Sequence, residues 1–215
     1  RLATATLTIH QLHTRLTRQR VGEDTLVRAI DVAASVGAEV RFRTAAATLV
    51  NRLATLTGAE RVALGARPTP RAQAAEVVAI SGVDQIKRRM DLVQDLGAAM
   101  DESIDQDLET FFPYGPDDTL IARQAERLAS RHGPAATAAV PLRRRGRAVA
   151  AITVERDPSR PFSATDLACL RLIADLVAPR LLDLHDCDQP AHVRAGRGIR
   201  RAAADLVGPS HPIAK

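Results

Sequence analysis

The stretch from Thr137 to Phe162, TAAVPLRRRGRAVAAITVERDPSRPF, constrains the fold more than any other part of the chain. Two apolar runs, Ala138 to Leu142 and Ala148 to Glu155, flank a short basic segment. Runs of this length with Val and Ile read as strands. Gly146 supplies the tolerance for positive φ that a tight hairpin turn demands. A proline-bounded loop then ends at Ser163, a good helix N-cap, and a helical pattern continues to about His185. Pro179 lies within that pattern, so the helix either bends there or restarts.

The rest of the chain alternates helical and strand patterns, with no internal repeat. Leu2 to Leu16 carries Ile9, Leu12 and Leu16 at helical spacing. Glu23 and Asp24 open a second periodic segment through Leu26, Ile30, Ala33 and Val36. The pattern restarts at Val40 and runs to Leu56, with Gly58 as its C-cap. RVALG (Arg61–Gly65) and EVVAIS (Glu76–Ser81) read as two strands. A helix follows from Met90 to about Asp107, and FFPYGPDD (Phe111–Asp118) reads as a loop. A helix capped by Asp118 or Thr119 runs to Arg131 and stops at Gly133-Pro134. The order is helix, strand, strand, helix, loop, helix, strand, strand, helix. It predicts an α+β fold, an antiparallel sheet with helices on its faces.

Composition bounds what the fold can do. The chain has 215 residues, 46% apolar and only 2% aromatic, without Trp. It can bury one full core built of Ala, Leu, Val and Ile, and it offers few stacking platforms for bases, so nucleic acid is not an expected partner. The net charge of +5 is concentrated at the end, where Arg194, Arg197, Arg200, Arg201 and Lys215 face a single acid, Asp205. Such a tail suits nucleic acid, an anionic lipid surface or a solvated end. Two cysteines, Cys169 and Cys187, make no disulfide framework, so a reducing compartment is the simpler expectation. No window has the length and apolarity of a membrane span. The start at Arg1 without Met reads as a piece of a longer chain.

The element order resembles the GAF domain, a ligand-sensing relative of the PAS fold. FRTAAATLVNRLATLTGAERVALG looks like the GAF entry helix and first strand, and VVAISGVDQI like a strand ending at a pocket rim. RRMDLVQDLGAAMDESIDQ looks like the pocket-side helix. VPLRRRGRAVAAITVER with PFSATDLACLRLIADLVAPRL looks like the final hairpin and closing helix. The combination of AMDESIDQ, VPL, GRAVAAITVER, PF and GPSHP is similar to the GAF segment of bacterial HlyD-type membrane-fusion proteins, adaptors of efflux or secretion systems. The resemblance implies a cytoplasmic, non-catalytic sensory domain ahead of one membrane span, with the basic tail beside the membrane. It implies residues 1–39 as a helical extension, 40–188 as the GAF-like domain and 189–215 as the juxtamembrane tail. The N-terminal helical part and the closing helix are the natural surface for a homodimer, since parallel helices bury apolar stripes together. A GAF module of a cytoplasmic sensor kinase or transcription regulator is the alternative. The motifs of bilin-attaching and cyclic-nucleotide GAF domains are absent, so no cofactor or ligand is named.

Candidate ligand contacts follow from spacing. Met100, Asp101, Glu102, Asp105 and Gln106 form a polar cluster on the predicted pocket-side helix, with Asp101 and Asp105 on one face. They either bond a small molecule or form a solvated face ion-paired to Arg123 or Arg127. Ser81 closes the second strand, as a ligand-facing rim or an ordinary turn. Thr153 and Glu155 alternate along the last strand and share a face, which is either the cavity side or solvent. No nucleophile, base and orienting partner recur at a catalytic spacing, so no activity is expected. His10 with His13, and the His185–Asp188 run, lack the geometry of a metal site. Arg143, Arg144, Arg145 and Arg147 at the hairpin turn read as a phosphate or lipid contact, or as charges that guard a sheet edge.

Overall fold

The chain's strands carry apolar residues on both sides, and this dictates a sheet covered on both faces. The structure, a computed structural model, describes residues 23–69, 72–87, 90–114, 122–133 and 136–188. The expected helix at Leu2–Leu16 with its two histidines, the Asp118/Thr119 cap and the tail 189–215 lie outside the described residues.

Helix α1 (23–37) is followed by α2 (Phe42–Thr57), β1 (Arg61–Ala66), β2 (Glu76–Ile80) and α3 (Asp91–Gln106). Then come β3 (Thr110–Phe112), α4 (Arg123–His132), β4 (Ala136–Arg144), β5 (Arg147–Arg156) and α5 (Ala164–Asp188). The strands form one sheet in the order β2-β1-β5-β4-β3, with every neighbouring pair antiparallel. The α+β architecture expected from the sequence is therefore present. Helices α2 and α5 cover one face, and α1 joins the same core, which includes Val62, Leu64, Val140, Ile152 and Val154. Helices α3 and α4 cover the other, packing on Ala63, Val77 and Ala151.

Several local expectations hold. Gly58 ends α2 in the left-handed region, at φ 60°. The β4–β5 turn places Arg145 at φ 51° and Gly146 at φ 75°, the two positive values that match strand twist in a two-residue hairpin. Ser163 and Asp166 form a reciprocal cap. Asp166 N–H donates to Ser163 Oγ at 3.1 Å, and Ser163 N–H donates back to the Asp166 carboxylate at 2.9 Å. Arg156 braces the same corner, bonding the Pro161 carbonyl and the Asp166 carboxylate at 2.8 Å each and lying over the Phe162 ring. Helix α5 runs through Pro179 without restarting.

Other expectations need correction. The stretch read as a loop from Phe111 begins inside β3, whose Thr110–Phe112 pairs with Thr137–Ala139. Three residues between a helix end and a proline are too few to show a period, although Thr and Phe favour strands. Helix α4 has Ala122 as its N-cap, later than the expected Asp118 or Thr119. The hairpin strands extend beyond the apolar runs at both ends, because β4 and β5 continue to pair through Arg143, Arg144 and Arg147. Pro141 is accommodated within β4 because β3 ends opposite Ala139, leaving Pro141 a strand partner on the β5 side only.

Gly65 in β1 allows α3 to lie close to the sheet. A Cβ there would stand 2.4 Å from Met100 Sδ and 3.2 Å from the Glu76 carbonyl oxygen. Gly65→Ala is expected to destabilise by about 1–3 kcal/mol through overpacking. Met100→Ala is expected to cost about 2–5 kcal/mol through the cavity it leaves. In urea denaturation the double variant should fall short of the sum by at least about 0.5 kcal/mol, since the new methyl enters the space Met100 vacates. Simple additivity would refute this contact.

Candidate functional site

The acidic run of α3 is divided among structural partners. Asp101 is bonded by Arg67 at 3.1 Å and by the Ala75 N–H at 3.0 Å, and Asp105 is bonded by the same Arg67 at 2.6 Å. The ion-pair partner is thus Arg67, from the β1–β2 connection, rather than Arg123 or Arg127. Burial pushes the Asp101 carboxyl above its ordinary range, although the Ala75 amide and Arg67 oppose the shift. Glu102 accepts the Gln124 N–H at 2.9 Å and so caps the start of α4. Asp95, missed in the sequence, takes the other end of that helix. Its carboxylate meets Arg131 and His132 at 2.8 Å and Arg127 at 3.3 Å. Met100 is fully buried in the core beside Gly65.

Ser81 sits at the end of β2 and completes the sheet. Its hydroxyl accepts the Val62 N–H at 3.0 Å, and its own N–H donates to the Val62 carbonyl at 2.8 Å. The hairpin arginines divide in a similar way. Arg143 binds Asp107, the left-handed C-cap of α3, through its side chain and its carbonyl at 2.6 Å each. Arg144 binds the Asp186 carboxylate and the Leu182 carbonyl in α5. These two hold the turn to the helices on either side.

Thr153 and Glu155 face α3 and α4, on the inner side of the sheet. The register places Glu155 opposite Arg61 on β1 and Thr137 on β4. Thr153 lies two residues along, opposite Ala63 and Ala139, and Thr110 of β3 is opposite Ala139. Thr110, Thr137, Thr153 and Glu155 are each 0% exposed. Among the described residues none of their side-chain oxygens has a hydrogen-bond partner. Buried polar atoms left in this way cost about 1–3 kcal/mol each, which makes a cluster of them informative. Thr110 and Thr137 were not singled out in the sequence. Thr137 differs from its neighbours only in polarity, and Thr110 joins the cluster through a strand that the sequence hid.

Arg61 is the cation beside this cluster. Its Nε lies 3.2 Å from Glu155 Oε1, and its Nη2 donates to the Gly133 carbonyl at 2.6 Å and the His132 carbonyl at 3.4 Å. It therefore joins the buried carboxyl to the C-terminal end of α4. Burial pushes the Glu155 carboxyl up from 4.5 to about 7; Arg61 counteracts the rise and Glu60 adds to it. The open grooves lie elsewhere. One of about 450 Å³ includes Arg67, Asp105, Arg147 and His185, and one of about 650 Å³ runs along β2 beside Phe42 and Asn51. Among the described residues no three potential metal ligands gather, and no helix is long and apolar enough to cross a membrane.

The raised carboxyl gives a signed pH effect. Between pH 4.5 and about 7 the folded form keeps the Glu155 proton that the unfolded chain has released. Its stabilising contribution is therefore complete below pH 4.5 and is lost as pH rises through about 7. Over that window the difference in unfolding free energy between Glu155→Gln and the parent chain should shift by about 3 kcal/mol in favour of the amide. Urea titrations at a series of pH values measure it, and a difference independent of pH would refute the buried ionisation.

The comparisons with known proteins agree with this layout. A family model described as GAF domain matches residues 41–181. No curated protein matches the chain. Among solved structures, the chain is similar to the chromophore-binding domain of an unusual bacteriophytochrome from R. palustris. The TM-score is 0.57 at 15% identity, covering 79% of this chain and 64% of that one. It is similar to a fragment of a methyl-accepting chemotaxis protein, with a TM-score of 0.54 at 14% identity, covering 74% and 99% respectively. It is also similar to the free methionine-R-sulfoxide reductase from Neisseria meningitidis, solved with its substrate, at a TM-score of 0.54 and 14% identity, covering 74% and 89%. These likenesses are of fold. With a family match across most of the sheet and its helices, the chain belongs to the GAF domain family, a regulatory, small-molecule-binding fold.

Proposed function

We propose that this GAF domain is a non-catalytic sensor that binds a small molecule on the α3–α4 face of its sheet. The observation that carries the reading is the set of four fully buried side chains, Thr110, Thr137, Thr153 and Glu155, whose oxygens lack hydrogen-bond partners among the described residues. A ligand supplying those partners removes a standing cost, which is a direct source of affinity. The same ligand acts on α4 through Arg61, because Arg61 holds both Glu155 and the carbonyls that end the helix. Differential contact of this kind is what shifts a protein between states.

The parent we propose is an inner-membrane HlyD-type adaptor of an efflux or secretion system. Support comes from the likeness of the residues given above and from the basic run between Arg194 and Lys215. The gene sequence beyond Lys215 tests it. About twenty consecutive apolar residues are expected there; a kinase or helix-turn-helix pattern would instead assign the domain to a cytoplasmic signalling protein. We further propose a homodimer through the terminal helices. Leu26, Val27 and Ile30 on α1 and Leu176 on α5 are exposed, between 41% and 66%. A monomer in light scattering across micromolar concentrations would exclude the dimer.

Thermal-shift screening with metabolites and efflux substrates tests the binding site. A compound that binds the folded state raises the melting temperature by mass action. The shift is expected in the parent chain and lost in Thr153→Val, which keeps the volume and removes the hydroxyl. Compounds that stabilise both chains equally would place binding elsewhere.

A further inference from the structure

We propose that the buried cluster of Thr110, Thr137, Thr153 and Glu155 recognises a small organic cation, an ammonium or amidinium group with several N–H donors, with Glu155 as its counter-ion. The inference rests on the site proposed above and adds the chemistry of the ligand.

Donor and acceptor capacity sets the class. Three hydroxyls bring one donor and two acceptor lone pairs each, and an ionised carboxylate brings only acceptors. The cluster therefore has a surplus of acceptors. Among the described residues no backbone or side-chain donor is hydrogen-bonded to any of these oxygens. An anionic ligand would add acceptors to acceptors, whereas a group rich in N–H donors answers them. The charge follows from the surroundings of Glu155. Arg61 places its Nε 3.2 Å from Oε1, and its Nη2 is committed to the carbonyls at the end of α4. Glu60 adds a like charge. The basic side chains along α4, Arg127, Arg131 and His132, are bonded to Asp95, and β4 presents an uncharged Thr137. One partly engaged guanidinium does not offset the burial of this carboxyl, whose proton stays on until about pH 7. A second cation beside the carboxylate supplies the missing compensation.

The register supplies direction. Arg61 flanks Glu155 on the β1 side, while Thr137 flanks it on the β4 side and Thr153 and Thr110 lie farther along the same face. The hydroxyls thus extend away from Arg61, so a second cation need not meet the first. The neighbours of Thr153 on this face are Ala63 on β1, Ala139 on β4 and Ala151 on β5, which give a low floor. A floor without aromatic rings suits a compact aliphatic cation better than a flat heterocycle. A metal ion is a poor fit, since Glu155 is the only carboxylate, imidazole or thiol in the cluster.

Binding would displace the Glu155 proton, so affinity for a permanently charged cation should fall roughly 30-fold from about pH 8 to pH 5.5. Isothermal titration of the whole chain with methylguanidinium, agmatine and n-butylammonium tests this, with N-methylurea and butyrate as neutral and anionic counterparts. At least one cation is expected to saturate the parent chain and the control Glu109→Gln. It should release a proton, seen as a dependence of the heat on buffer ionisation enthalpy, and bind at least tenfold more weakly to Glu155→Gln and to Thr153→Val. Cation binding that is indifferent to Glu155→Gln, or without proton release, overturns the counter-ion. Saturation by methylurea or butyrate that Thr153→Val abolishes keeps the site and overturns the cation class. Absence of saturable binding by every probe, with no change in the Thr153 and Glu155 resonances, overturns the cation class and the site together.

Discussion

β5 is committed on both edges and on both faces, and the rest of the domain is arranged around that commitment. It pairs with β1 along six residues and with β4 along nine. Ile152 and Val154 enter the core beneath the terminal helices. The alternate residues, Ala151, Thr153 and Glu155, then have no choice but to face α3 and α4. A slip of one residue would carry Thr153 and Glu155 into the layer of α2 and α5 and expel Ile152 and Val154 from it. The two-residue turn at Arg145 and Gly146 fixes the register, and the buried pattern penalises any other.

Polar contacts, more than apolar ones, place the helical cover over that inner face. Helix α4 buries only Ala125, Leu128 and Ala129. Both of its ends are held by carboxylates of α3, Glu102 at the first amides and Asp95 at the basic last turn. Asp101 and Arg67 hold α3 in turn to the β1–β2 connection. Electrostatic ties of this sort depend on geometry, and with partly exposed partners they position an element while contributing modest net stability. Arg61 links the helix end to Glu155 and makes the buried carboxyl part of the same network. A change at Glu155 is therefore felt where α4 has its smallest apolar anchorage.

The architecture was legible because periodicity and punctuation agreed. Gly58, Gly146 and Ser163 each act as the sequence suggested, and the strand–helix order leads to one sheet. The site was legible only in part. Thr153 and Glu155 could be placed on a common face, but which face was inner depended on long-range pairing with β1 and β4. Asp101 and Asp105 stood out as a dense acidic run, yet their partner, Arg67, is more than thirty residues away and unmarked by spacing. Asp95 drew no notice because a single acid on a helix looks solvated. Thr110 was hidden by the brevity of β3. In each case the missing information was tertiary.

The polar character of the inner face needs a reason beyond folding. Valine matches threonine closely in shape and would fill positions 110, 137 and 153 without leaving oxygens unpartnered. The core elsewhere is built of Ala, Leu, Val and Ile, and its buried polar side chains are paired where they mark a joint, as Asp95 and Ser103 are. At the four inner positions the hydroxyls and the carboxyl instead accumulate over a floor of alanines and carry a cost of several kcal/mol together. Stability alone favours removing them. Their concentration at one place, between the sheet and the α3–α4 layer, is the pattern expected where packing has yielded to recognition.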